Sequence, residues 1–131
     1  MVDIPGLPAT RSLAYASVVV ADELIFVAGQ AGTDESGHVV SPDFEAQTRQ
    51  TFENIGVALA AAGSDLSRII TMTVFITDWR YGPEFISVRG EVLGDNLAAS
   101  ATIGIGQLAL PEMLVEVQCT AAKKGAESTW G

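Results

Sequence analysis

The chain has 131 residues, a length that fits one domain able to bury a core of its own. One cysteine and one histidine exclude an internal disulfide and a Cys/His zinc site. Sixteen Asp and Glu against seven Lys and Arg give a net charge of −9. That balance argues against nucleic acid or a membrane surface as partner, since both call for clustered Lys and Arg.

Met1 to Leu7 is short and acidic and does not read as a signal peptide. No run approaches the roughly 18 apolar residues of a membrane helix. A cytoplasmic protein is expected. Through Arg11 the chain carries Pro5 and Pro8 and no periodicity, which predicts an extended lead-in. Ala14 to Val20 and Leu24 to Ala28 are β-prone and flank the turn Ala21-Asp22-Glu23, which predicts a hairpin. Gly29-Gln30-Ala31-Gly32 is expected to break the second strand. His38-Val39-Val40 suits a short edge strand, with His38 at the surface.

Ser41-Pro42-Asp43 opens a helix, with Ser41 or Asp43 as cap and Pro42 in the first turn. Phe44, Thr48, Phe52, Ile55, Leu59 and Ala62 then recur at helical spacing, and Gly63 stops the run. Ile69 to Thr77 is the clearest strand: Ile70, Met72, Val74 and Ile76 alternate with Thr71, Thr73, Phe75 and Thr77. Trp79 and Tyr81 lie in a loop. Pro83 begins a second helix to about Asp95, with Phe85, Val88 and Val92 on its buried face. Ser100 to Gly106 alternates again, and the last strand runs from Met113 to Ala122. Residues 1–122 make one domain, and 123–131, with Trp130, read as a frayed tail.

The order β-β-α-β-α-β-β predicts an α+β layer, with both helices on one face of a sheet. The last strand is apolar on one side, with Met113, Val115, Val117, Cys119 and Ala121. Its other side carries Leu114, Glu116, Gln118 and Thr120. A carboxylate amid so apolar a strand needs a reason, because an unpartnered buried charge is costly. Glu116 is therefore expected in a cleft. Thr71, Thr73, Phe75, Ser100, Thr102 and Leu114 are assigned to the same face as Glu116. Small hydroxyls among apolar groups suit a subunit interface. A closed oligomer with inward-facing sheets is predicted, with Glu116, Ser100 and Thr102 near the interface, where small-molecule clefts form.

Four stretches carry a family resemblance. They are Tyr15 to Val18 with Leu24 to Gln30, Glu45 to Ile55 (EAQTRQTFENI), Thr73 to Asp78 (TVFITD), and Leu114 to Val117 (LVEV). In order and spread, from Tyr15 to Ala122, the chain resembles the RidA (YjgF-type) family. The resemblance implies a chorismate-mutase-like fold and a homotrimer with three clefts between subunits. It implies hydrolysis of reactive 2-imino and 2-enamino acids to 2-keto acids and ammonia, with no metal or organic cofactor. By the same likeness Glu116 holds or activates water, Tyr15 is the cleft tyrosine of the first strand, Gly29 offers a backbone carbonyl, and Thr102 a backbone donor. Water attack on an imine carbon needs such a base within reach.

The chain departs from the family at one place. The arginine that grips the substrate carboxylate in deaminase members is matched here by Ser100, in Ala98-Ala99-Ser100-Ala101-Thr102. Arg11, Arg80 and Arg89 do not match its spacing, and Arg89 is assigned to a solvated helix face. The expectation is a RidA-like hydrolase of imines or enamines, acting on a less anionic ligand than a 2-imino acid. The alternative is a non-catalytic trimer that binds a metabolite or a partner.

Overall fold

The computed structural model describes residues 3–127. Seven elements follow in chain order: β1 (Val18–Ala21), β2 (Leu24–Ala31), α1 (Phe44–Ala61), β3 (Ile69–Ile76), α2 (Gly82–Leu93), β4 (Ala99–Gly104) and β5 (Val115–Ala122). They form one sheet of five strands in the order β1-β2-β5-β3-β4. All pairs are antiparallel except β3 with β4. The element order predicted from sequence is the observed one.

The hairpin turns at Asp22, whose φ of 53° lies in the left-handed region that Asp tolerates. β1 is shorter than the β-prone run suggested. Arg11–Leu13 forms a 3₁₀ turn, Ala14 takes φ 63°, and the Thr10 hydroxyl donates to the Tyr15 carbonyl. These contacts hold Ala14 to Ser17 outside the strand. β2, by contrast, does not end at Gly29. Val27 pairs with Cys119 and Gln30 with Val117, so Ala28 and Gly29 together face Gln118. The glycine marks a bulge in a continuing strand. Thr33 and Val39 make a lone bridge where an edge strand was expected.

α1 is capped by Asp43, whose carboxylate accepts from the Ala46 amide, and Pro42 stands outside the helix. At its other end the Gly63 amide donates to the Ala60 carbonyl and the Ser64 amide to Leu59, with Gly63 at φ 84°. This is the Schellman closure that a glycine stop permits. α2 buries Phe85, Val88 and Leu93, with Val92 only partly covered.

Both helices cover the sheet face formed by Ile25, Val27, Met72, Val74, Ile76, Val115, Val117, Cys119 and Ala121. Burying that many aliphatic side chains, each about 1.5–3 kcal/mol, is what holds the two layers together. The other face is uncovered in the single chain. Val19, Phe26, Thr120 and Thr71 lie on it in one row, and Phe75 beside Glu116 further along. Leu114 is not part of it: it precedes β5 and packs against the core. The Lys123 and Lys124 amides donate to Glu23 and Gly63 carbonyls, so the chain stays bonded past residue 122. Trp130 lies outside the described residues.

Candidate active site

Glu116 stands on the uncovered face of β5, between Ala31 of β2 and Phe75 of β3. It is half-buried, and burial pushes its carboxyl pKa up. Among the described residues nothing donates to or pairs with the carboxylate. Its position depends on Gly29. A Cβ at residue 29 would come within 2.7 Å of Glu116 Oε2 and 2.8 Å of Cδ. The carboxylate therefore lies across the bulge, over backbone that only a glycine leaves bare. The bulge also takes Gly29 out of the regular ladder, which is where a free carbonyl is expected.

Tyr15 is 45% exposed. Ser17, two residues on, accepts from the Ala28 amide, so the segment that leads from Tyr15 into β1 runs beside the bulge. Glu116, Gly29 and Tyr15 thus come from three neighbouring strands or their approaches. A hollow of about 330 Å³ on the same face is lined by Val19, Phe26, Thr71, Thr73, Gln118 and Thr120, and does not reach Glu116.

Ser100 and Thr102 lie elsewhere. β3 and β4 are parallel, with Met72 opposite Ser100 and Val74 opposite Thr102. Met72 and Val74 are core residues, so Ser100 and Thr102 turn their side chains to the helix face, not to the face of Glu116. The expectation that all three share one face is overturned. Alternation separates two faces without saying which is which. In β4 the apolar set Ala99, Ala101 and Ile103 takes the uncovered side, and as an edge strand its residues are all exposed. The Ile105 amide donates to the Ile76 carbonyl. Alternate residues of a parallel strand bond to one side, so Ser100 and Thr102 point their backbone groups to the free edge.

Arg89 is only partly solvated. Its guanidinium is partly buried, lies 5.1 Å from the Phe85 ring centre and donates through Nη1 to Ser100 Oγ at 2.8 Å. Phe85 and Arg89 are four residues apart on a helix, and that spacing is the signal that would have found the pair.

Two further residues that sequence reading missed hold the site's frame. Gln47 is fully buried; its Nε2 donates to the Ser41 and Glu112 carbonyls, and its Oε1 accepts from the Leu114 amide. It thereby fixes the chain two residues before Glu116. Asn54 donates to the Ala31 and Thr33 carbonyls, fixing the end of β2. Gln47, Thr51, Asn54 and Ala58 recur at helical spacing beside the apolar stripe, and all are buried. Among the described residues no group of three His, Cys, Asp or Glu side chains could hold a metal ion. No helix there is long and apolar enough to cross a membrane.

Fold and site together define a two-layer α+β protein with a half-buried carboxylate on an uncovered sheet face. The sequence matches the family model described as endoribonuclease L-PSP over residues 8–123. A RutC family protein of Pyrococcus horikoshii is 32% identical over 111 residues, covering 84% of this chain and 87% of that protein. The 3-aminoacrylate deaminase RutC of Acinetobacter baylyi is 31% identical over 118 residues, 89% and 86% of the two chains. The crystal structure of RidA from an Antarctic Psychrobacter superposes with a TM-score of 0.82 at 26% identity, over 89% of this chain and 94% of that one. The chain belongs to the endoribonuclease L-PSP family, that of the RidA (YjgF-type) proteins.

Proposed function

We propose that this chain is a cofactor-free hydrolase of reactive imines and enamines, working in small-molecule clefts between the subunits of a homotrimer. The observation that carries this reading is the half-buried Glu116 carboxylate lying across Gly29, unpartnered among the described residues. A carboxylate with a raised pKa sits closer to neutral pH, where taking and returning a proton is easiest. In the proposed reaction Glu116 takes a proton from water as its oxygen bonds to the imine carbon. That proton is passed to nitrogen, and the neutral carbinolamine then gives its hydroxyl proton through Glu116 to nitrogen as the C–N bond breaks, leaving ammonia and the keto product. An enamine first gains a proton at carbon to become the imine. Tyr15 and the Gly29 carbonyl orient the ligand and its nitrogen, and the Thr102 amide at the free edge donates to it.

The likeness to a 3-aminoacrylate deaminase supports the reaction class. RNA cleavage, named by the family model, fits a chain of net charge −9 poorly. Support for the trimer comes from the uncovered face, where Val19, Phe26 and Ile103 stand 52%, 43% and 42% exposed. Apolar surface of that kind marks an interface. Light scattering should give three times the chain mass of 13.7 kDa; a monomer would remove the clefts. The activity itself is tested by ammonia release from freshly generated 2-iminobutanoate and 2-aminoacrylate. Release faster than buffer supports the proposal. Buffer-rate release beside an active family member favours the alternative, a trimer that binds a metabolite without turning it over.

A further inference from the structure

Among the described residues Arg89 is a cation without a counter-ion. No carboxylate among the described residues lies within 4.0 Å of it, whereas Arg49 and Arg80 both have one. Burial, which acts alone on it, lowers its pKa, but a guanidinium keeps its charge. One N–H is used on Ser100 Oγ and another approaches Met72 Sδ at 4.0 Å. A guanidinium has five N–H donors, so others remain free. Ser100 Oγ accepts in this contact, so its own proton remains to be donated. Beside it, the Ser100 and Thr102 amides point to the free edge of β4. The free guanidinium N–H groups, the Ser100 hydroxyl and the two amides put several donors at this corner beside the Ser100 and Thr102 carbonyls, and the Arg89 Cζ lies over the Phe85 ring at 5.1 Å.

From this geometry we infer that Arg89, seated on Ser100, is the anion receptor of the chain and binds the carboxylate of its ligand at the edge of β4. A planar fork of N–H groups matches the two oxygens of a carboxylate. The serine is then a seat for an arginine supplied by α2. The ligand is then a small carboxylic acid, where the sequence alone suggested a less anionic one. This inference deepens the proposed hydrolase reading and rests on its cleft between subunits, because within one chain Ser100 turns to the helix face and Glu116 to the opposite one.

Binding tests it without turnover. The probes are 2-oxobutanoate, a stable keto acid, and its methyl ester, which has the same carbon frame and no charge. Calorimetry should show the acid binding at least about tenfold tighter than the ester, the value of one lost charge-assisted contact. The acid, and not the ester, should shift the Arg89 Nε resonance, assigned by its loss in Arg89→Met. Arg89→Met should bring acid and ester to equal affinity, and Arg89→Lys, which keeps a cation and the helix, should retain part of the preference. Equal binding of acid and ester by the unaltered protein, no binding of the acid, or a preference that survives Arg89→Met would each overturn the inference. So would inorganic phosphate displacing the acid more strongly than acetate does. Glu116→Gln should keep the acid preference. Arg89-dependent binding in a protein that releases no ammonia leaves the receptor standing and removes the hydrolase.

Discussion

The Glu116 carboxylate occupies the space that a side chain at Gly29 would need, 2.7 Å from where its Cβ would be. Gly29 has no positive φ, so its conformation suits any residue. What demands glycine is the carboxylate above it. Gly29→Ala should therefore fold, because the clash falls on the far end of a flexible side chain, while Glu116 swings off the bulge. A positioned general base supplies roughly 10²–10⁴-fold in rate, and Gly29→Ala should lose at least about tenfold of that in kcat with little change in Tm. Unchanged turnover would show that the carboxylate's place over Gly29 is irrelevant.

Glu116 also predicts a pH dependence of stability. Its folded pKa lies above its unfolded one, because burial disfavours the charged form. Its contribution is full below the unfolded carboxyl pKa of about 4.3 and is lost as pH rises through the folded value. Gln at this position does not titrate. Glu116→Gln should match the unaltered protein in Tm near pH 4 and exceed it at pH 7. A variant that falls behind at pH 7 would mean that a cation holds the carboxylate in solution.

Gln47 sets the entry of β5. Gln47→Leu keeps the volume but leaves the Leu114 amide and the Ser41 and Glu112 carbonyls without their partner. An unsatisfied buried polar group costs about 1–3 kcal/mol, so urea unfolding should show a loss of roughly 2–4 kcal/mol, with turnover reduced as Glu116 loses its register. A loss under half a kcal/mol would place these groups in water.

Much of this was legible in the sequence, and the failures have physical causes. The helical stripe from Phe44 to Leu59 and the alternation in β3 and β5 follow from periodicity, because each side meets a different solvent. The faces of β4 were misassigned because both of its sides are exposed, so its pattern records no burial. β2 ran past Gly29 because a glycine inside a strand can mark a bulge as well as an end. Gln47 and Asn54 escaped because polarity suggests the surface, while these amides are buried to bind backbone groups more than twenty residues away. Arg89 escaped because charge alone suggested solvent, though Phe85 one turn earlier gave it a ring to lie on.

Cys119 faces the core, 4% exposed, and burial pushes its thiol pKa up to about 12. Thiolate is the reactive form. At pH 8 the native protein should resist a thiol reagent that labels it at once in urea. Rapid native labelling would mean that β5, and Glu116 with it, opens readily.

The most direct measurement compares Glu116→Gln with the unaltered protein in two assays on the same preparations: ammonia release from 2-aminoacrylate and binding of 2-oxobutanoate. Release should fall to the buffer rate, a loss of about 10²-fold or more for a missing base, while the keto acid binds within a few-fold of its former affinity. Release that persists in the glutamine variant would contradict this and remove Glu116 from the chemistry.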